Sequence, residues 1–316
     1  MSGPVSTDDV PATPLPGGSA DPAGPAEPPQ VEVTTSRTAD VAGMPVRRAL
    51  PRRGRRTVGA WCFVDHLGPL AVTDERGVEI GPHPHIGLQT VTWLLAGEQL
   101  HRDSLGSEQT IRPGQLNLMT AGGGVTHAEE SLDYRGPLHG VQLWVAQPEA
   151  TRHGPADFEH HADLPQVELD QLVATVLVGA VGDAESKARH DTPLVGLDLA
   201  VRPGTSVLPL SGTYEHALVV LEGAVAVGGR VVRPGDMAYL GTGRQELPLA
   251  ATGDARALLV GGEPFESPVF MWWNFVARSQ EEVRSAYRAW TAGDDRFGAV
   301  DSALSRIPAP APLWRG

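Results

Sequence analysis

Gly81-Pro82-His83-Pro84-His85-Ile86-Gly87 and, further along, Thr120-Ala121-Gly122-Gly123-Gly124-Val125-Thr126-His127-Ala128-Glu129 decide how this chain is read. Each segment carries a pair of metal-type donors at i, i+2: His83 with His85, and His127 with Glu129. On an extended strand that spacing places both members of a pair on the same face. Between the pairs lie an apolar run from Leu88 to Leu95, a polar hairpin from Gly97 to Ser107, and an Arg112-Pro113-Gly114 turn. If the two strands face one another inside a barrel, His83, His85, His127 and Glu129 converge on one point. Either pair alone reads as a turn or as a satisfied core histidine; both together read as a metal site.

The donor types narrow the ion. Neutral imidazole suits iron, copper, nickel and zinc, and a carboxylate adds charge that favours a divalent ion. Four protein ligands leave an octahedral sphere open to water, substrate or O2, whereas a structural zinc site closes, usually with thiolates. No cysteine flanks either pair. The ion is therefore read as open and reactive.

Outward from the two pairs, short β-type runs recur between Pro-Gly and Gly-Gly turns. Examples are Gln89-Thr90-Val91-Thr92-Trp93-Leu94, Gly140 to Val145, Leu172 to Val178 and His216 to Leu221. This is the pattern of an all-β barrel or sandwich. Leu95-Ala96-Gly97 followed by Arg112-Pro113-Gly114-Gln115 is echoed by Leu221-Glu222-Gly223 followed by Arg233-Pro234-Gly235-Asp236. Such an internal repeat predicts two barrel units, the second metal-free because it lacks both donor pairs. A boundary in the segment Pro148 to Pro165 divides the chain into a metal-binding unit over residues 35–160 and a metal-free unit over 161–316. Residues 1–34 read as a disordered Pro-rich tail, too poor in large apolar groups to order itself, although Val31-Glu32-Val33 alternates like a strand. One helix is signposted near the end. Ser279 with Glu282 forms a capping box, Val283, Ala286, Tyr287 and Trp290 make an apolar stripe, and Gly293 closes it.

At 316 residues the chain has room for one large or two medium cores. Lys plus Arg is 25 against 38 Asp plus Glu, a formal charge of −13 that repels phosphate and argues against nucleic acid as a partner. Cys62 is the single cysteine, which excludes an internal disulfide and suits a reducing cytoplasm; its place between Trp61 and Phe63 predicts a buried thiol. No run reaches the ~18 apolar residues of a membrane span, and no Lys or Arg precedes Arg37 to make a secretory signal. A cytoplasmic protein, without membrane partner, is the expectation. The Arg47-Arg48 and Arg52 to Arg56 cluster reads as an exposed loop pairing with carboxylates, and His153, His160 and His161 as surface residues. His66 beside Asp65 is a candidate to orient a ligand imidazole. Gly122-Gly123-Gly124 would let the backbone pass close to the ion or turn tightly before His127.

Phe63-Val64-Asp65-His66, His83-Pro84-His85-Ile86-Gly87, Gln89-Thr90-Val91-Thr92-Trp93, His101-Arg102-Asp103-Ser104, Met119-Thr120-Ala121-Gly122, His127-Ala128-Glu129 and His139-Gly140-Val141-Gln142-Leu143-Trp144 resemble the pirin family of the cupin superfamily. Gly261-Gly262-Glu263-Pro264-Phe265, Met271-Trp272-Trp273-Asn274-Phe275-Val276 and Arg306-Ile307-Pro308-Ala309-Pro310 are similar to its C-terminal signature. The resemblance implies two tandem jelly-roll cupin barrels and a ligand set of His83, His85, His127 and Glu129 around Fe(II), with Ni, Cu, Mn, Co or Zn as alternatives. It also implies a quercetin 2,3-dioxygenase activity on a flavonol-like aromatic substrate, with Glu129 as possible base. A metal- or redox-sensing regulator that binds a transcription factor or metabolic enzyme is the other implied role. The chain is expected to be a monomer. Two positions depart from the family: Gln89, where many members carry Glu, and Ser107-Glu108-Gln109 in the hairpin at the pocket rim.

Overall fold

The computed structural model describes residues 30–73, 78–131 and 133–314. Residues 1–29 of the expected tail lie outside the described residues. Strands dominate, in chain order β1 (Glu32–Thr35), β2 (Arg37–Val41), β3 (Met44–Leu50), β4 (Trp61–Val72), β5 (Glu79–His85), β6 (Leu88–Ala96), β7 (Gln99–Asp103), β8 (Glu108–Ile111), β9 (Leu116–Thr120), β10 (Val125–Glu130), β11 (Gly136–Ala146) and β12 (Asp157–His161). The first barrel sets a seven-stranded sheet, ordered β12-β9-β6-β11-β4-β3-β2, against a four-stranded sheet, β5-β10-β7-β8. β6 is Leu- and Thr-rich and buried along most of its length, as a central strand covered on both faces should be.

The second barrel repeats the plan. Its seven-stranded sheet runs Glu32–Thr35, Asp236–Gly241, Glu215–Glu222, Ala255–Gly262, Leu194–Val201, Leu172–Val178, Gln166–Leu169. Its four-stranded sheet runs Gly204–Pro209, Glu246–Ala251, Val225–Val227, Arg230–Val232. Position by position the two orders match, so the faint sequence repeat is a structural one.

Chain segments cross between the barrels. β1, all but its last residue within the span 1–34 expected to be tail, pairs with Asp236–Gly241 of the second barrel. β12, inside the expected boundary segment, pairs with β9 of the first. The contact between barrels is apolar and centres on Trp61, fully buried at the start of β4. Its indole N–H is shared by the carbonyls of Val195 and Gly261, each at 3.1 Å, in the second barrel. Gly196 admits the ring: a Cβ there would stand 2.9 Å from the indole.

Helix α1 (Gln280–Ala292) starts as expected, with Ser279 Oγ accepting from the Glu282 amide at 3.3 Å, and ends at Gly293 in the left-handed region. The Glu282 carboxylate accepts from the Arg278 amide, one residue beyond the cap. Val283, Ala286 and Trp290 are its buried face. This face packs with Ile86, Phe275 and Phe297, so the C-terminal region returns to the first barrel. Phe275 bridges Ile86, the Val276 amide donates to Ile86 O at 3.1 Å, and the Ile307 amide donates to Pro82 O at 2.9 Å. The far end of the chain thus packs against the segment that carries His83 and His85.

The arginine cluster is not simply a loop. Arg47 and Arg48 lie on β3, and Arg48 is buried in a two-pronged bond to Asp65 at 2.7 and 2.6 Å because β3 and β4 pair Arg48 with Asp65 in register. Arg55 does find a carboxylate, Glu32 at 3.2 Å. Cys62 is fully buried and free, and burial pushes its thiol up to about 12.

Candidate metal centre

Register between three strands builds the site. β10 pairs with β5 so that His127 lies opposite His83, and with β7 so that His127 lies opposite Asp103 and Glu129 opposite His101. Directly opposed residues share a face, so His83, His127 and Asp103 form a row across the four-stranded sheet. His85, two residues past His83, joins the same face. All of these side chains are buried. The imidazole centroids lie 4.3 Å apart for His83–His127, 4.9 Å for His85–His127 and 5.1 Å for His83–His85. One ligand nitrogen from each of the three lies within 4.8 Å of the others.

Hydrogen bonds set the tautomers. His83 Nδ1 is 2.9 Å from Gly81 O, and His85 Nδ1 is 3.1 Å from Asn274 O. A carbonyl only accepts, so both Nδ1 atoms carry the proton and both Nε2 atoms present lone pairs. His85 Nε2 and His127 Nε2 are 3.0 Å apart. With His85 Nε2 unprotonated, that gap suits either an N–H on His127 Nε2 or a metal ion shared by the two nitrogens. Burial pushes the His83 imidazole down to about 3, and burial together with the neighbouring imidazoles holds His85 and His127 well below the ordinary histidine range. Three neutral nitrogens aimed inward, with no proton to displace near neutrality, fit a divalent metal ion.

Glu129 lines the same cavity, beside Gln99, and stands outside the group of ligand atoms within 4.8 Å of one another. Burial raises its carboxyl above the usual range. The cavity encloses about 50 Å³. Its wall is largely apolar, with Met44, Ile80 and Leu138 beside the stacked Phe63–Trp144 pair, centroids 4.1 Å apart. Arg48, Asp65 and Gln142 supply its polar side. Among the described residues no other group of this kind is found, in either barrel.

Other candidates resolve differently. His66 bonds to His139 at 2.8 Å and to Arg47, not to the three imidazoles, because Asp65 and His66 alternate to opposite faces of β4. Gly122 has φ +51°, and a Cβ there would meet Gly154 O; it packs against the inter-barrel segment, not the ion. His160 and His161 are half-buried on β12, bonded to Asn117 and Glu159, rather than free on the surface. Gln89 is buried and donates to Thr120 Oγ1 at 3.1 Å.

Sequence reasoning met His101, Asp103 and Asn274 within family motifs and gave them no role at the site. His101-x-Asp103 has the same i, i+2 spacing as the two donor pairs and was legible on that ground. Asn274 acts through its carbonyl, which carries no side-chain signal.

The pirin family model matches residues 43–145, and the model of the pirin C-terminal cupin domain matches residues 196–298. A pirin-like protein of Caulobacter vibrioides is 36% identical, over 88% of this chain and 98% of its own. The chain belongs to the pirin family. Both pirin barrels here are therefore cupins, in tandem, with one C-terminal helix. A Pseudomonas aeruginosa pirin relative named as a candidate quercetin 2,3-dioxygenase is 46% identical over 89% of this chain and 90% of its own. The crystal structure of a quercetin 2,3-dioxygenase from Acinetobacter baumannii superposes with a TM-score of 0.88 at 42% identity, covering 91% of this chain and 97% of that one.

Proposed function

We propose that this pirin is a non-haem iron dioxygenase that opens the heterocycle of a flavonol such as quercetin with O2 and releases carbon monoxide. One observation carries the reading. Three neutral imidazoles aim their Nε2 atoms at one point beside a buried carboxyl, in an apolar cavity, in a chain 42% identical to a quercetin 2,3-dioxygenase of known structure. His83, His85 and His127 hold Fe(II), with Glu129 as the remaining ligand. The ion supplies Lewis acidity, lowering the pKa of a flavonol hydroxyl.

The chain's own residues do the rest. The raised carboxyl of Glu129 is suited to take the proton from that hydroxyl and hold it on a carboxyl oxygen, since burial favours its neutral form. Phe63 and Trp144 offer a stacked aromatic wall for the substrate rings. The apolar lining keeps water from the reacting atoms. Iron-loaded protein mixed aerobically with quercetin should lose flavonol absorbance and release carbon monoxide. A Glu129→Gln variant that keeps its metal and its full turnover sinks the base role.

One observation favours a second reading. A cavity of about 50 Å³ takes a few waters and is smaller than a flavonol. A sensor of metal or redox state, with a transcription factor or metabolic enzyme as partner, needs no larger space. Absence of metal-dependent turnover, with a partner captured in one oxidation state only, would select it.

A further inference from the structure

We infer that Asp103 is a positioning residue that acts through His101 to fix the tautomer of His127, and so to keep its Nε2 available to a metal ion. This rests on the metal reading of the imidazoles and on no choice of substrate.

The chain of contacts is buried throughout. Asp103 Oδ2 lies 3.1 Å from His101 Nε2, and His101 Nδ1 lies 3.4 Å from His127 Nδ1. Asp103 is itself immobilised, because its Oδ1 accepts from the Leu105 amide at 2.9 Å and the Ser107 amide at 3.0 Å. The His101 ring is clamped from its flat side by Phe158 of β12, centroids 4.4 Å apart and planes 12° from parallel.

Two proton arrangements fit these distances, and the carboxylate of Asp103 favours one of them. A carboxylate facing an imidazole nitrogen requires a proton on that nitrogen, so His101 Nε2 is the donor. The His101 tautomer with its N–H on Nε2 presents a lone pair at Nδ1. Its neighbour, His127 Nδ1, is then the N–H donor, which leaves the lone pair of His127 on Nε2. That is the atom 3.0 Å from His85 Nε2, inside the cluster. In the reverse arrangement His127 would carry its proton on Nε2 and block the ion.

His83 and His85 owe the same tautomer to backbone carbonyls, Gly81 O and Asn274 O, which no substitution removes. His127 alone of the three is held by side chains. An oriented ligand imidazole commonly depends on such a carboxylate partner, whose loss weakens metal binding roughly 10–100-fold.

The test uses zinc(II) as probe, with no O2 and no flavonol. Asp103→Asn keeps an oxygen for the Leu105 and Ser107 amides while removing the anion that protonates His101 Nε2. His101→Phe keeps the stack on Phe158 and orphans His127 Nδ1. Both variants should bind zinc(II) roughly 10–100-fold more weakly than wild type in chelator competition. Ring nitrogen NMR on the metal-free wild type should show His127 protonated at Nδ1, and Asp103→Asn should move that proton to Nε2. Wild-type His127 protonated at Nε2, or Asp103→Asn binding zinc(II) within about threefold of wild type while its fold is intact, overturns the inference. The NMR arm decides it even if His101→Phe fails to fold. Loss of quercetin turnover with normal zinc binding would instead count against the dioxygenase reading alone.

Discussion

Acidification separates this site from an ordinary cluster of histidines. An imidazole of pKa ~6.5 must shed a proton to bind a metal at pH 5, at a cost of about 1.5 × 1.36, or ~2 kcal/mol, near 30-fold per residue. Burial has already imposed that cost during folding for His83, whose imidazole sits at about 3, and His85 and His127 lie in the same direction. Near pH 5 none of the three needs deprotonation. Glu129, pushed upward, is the candidate ligand that still competes for a proton. Metal affinity should therefore fall by no more than about one proton per ion between pH 7 and pH 5, and the Glu129→Gln variant should be nearly flat. The assay is competition against a chelator of known proton affinity, at each pH, with circular dichroism to confirm the fold. A slope of two or three protons per ion, centred on the ordinary histidine range, would refute the claim that the site is preset neutral.

The same shifts act on the fold itself. His66 and His83 each sit at about 3 when folded, so the unfolded chain binds more protons below the ordinary histidine pKa. Metal-free protein should lose ~2 kcal/mol per residue on going from pH 7 to 5, read by urea denaturation at both pH values. Removing one partner of the buried Arg48–Asp65 pair, as in Asp65→Asn, should cost about 3–5 kcal/mol, whereas Arg48→Met with Asp65→Leu should be close to neutral in the same assay. Trp61→Phe orphans the carbonyls of Val195 and Gly261 and should cost about 1–3 kcal/mol, seen as a lowered Tm shared by both barrels.

The metal-type residues were legible because strand period makes i, i+2 donors neighbours, and the internal repeat was legible because its turn residues recur at matching points. Helix α1 was legible from Ser279 to Gly293 because capping and apolar spacing are local signals. What lay hidden was long-range. Nothing around Glu32 says that its strand completes the second barrel, and nothing around Asn274 says that its carbonyl orients His85. Arg48 hid for another reason. Six arginines within a short span read as a solvated run, yet strand alternation buries one of them against Asp65.

The exchange of termini carries a consequence for synthesis. A ribosome releases the His83 and His127 segments long before Asn274, Phe275 and Ile307 emerge, yet Asn274 lines the cavity and orients His85, and Phe275 and Ile307 bond beside it to Ile86 and Pro82. The early strand at Glu32 waits likewise for Asp236–Gly241 to be made. Each half is thus completed by a segment from the opposite end of the chain. Ion capture in its finished geometry belongs to the completed polypeptide, so a truncated or stalled product would hold its histidines without the carbonyl that aims one of them.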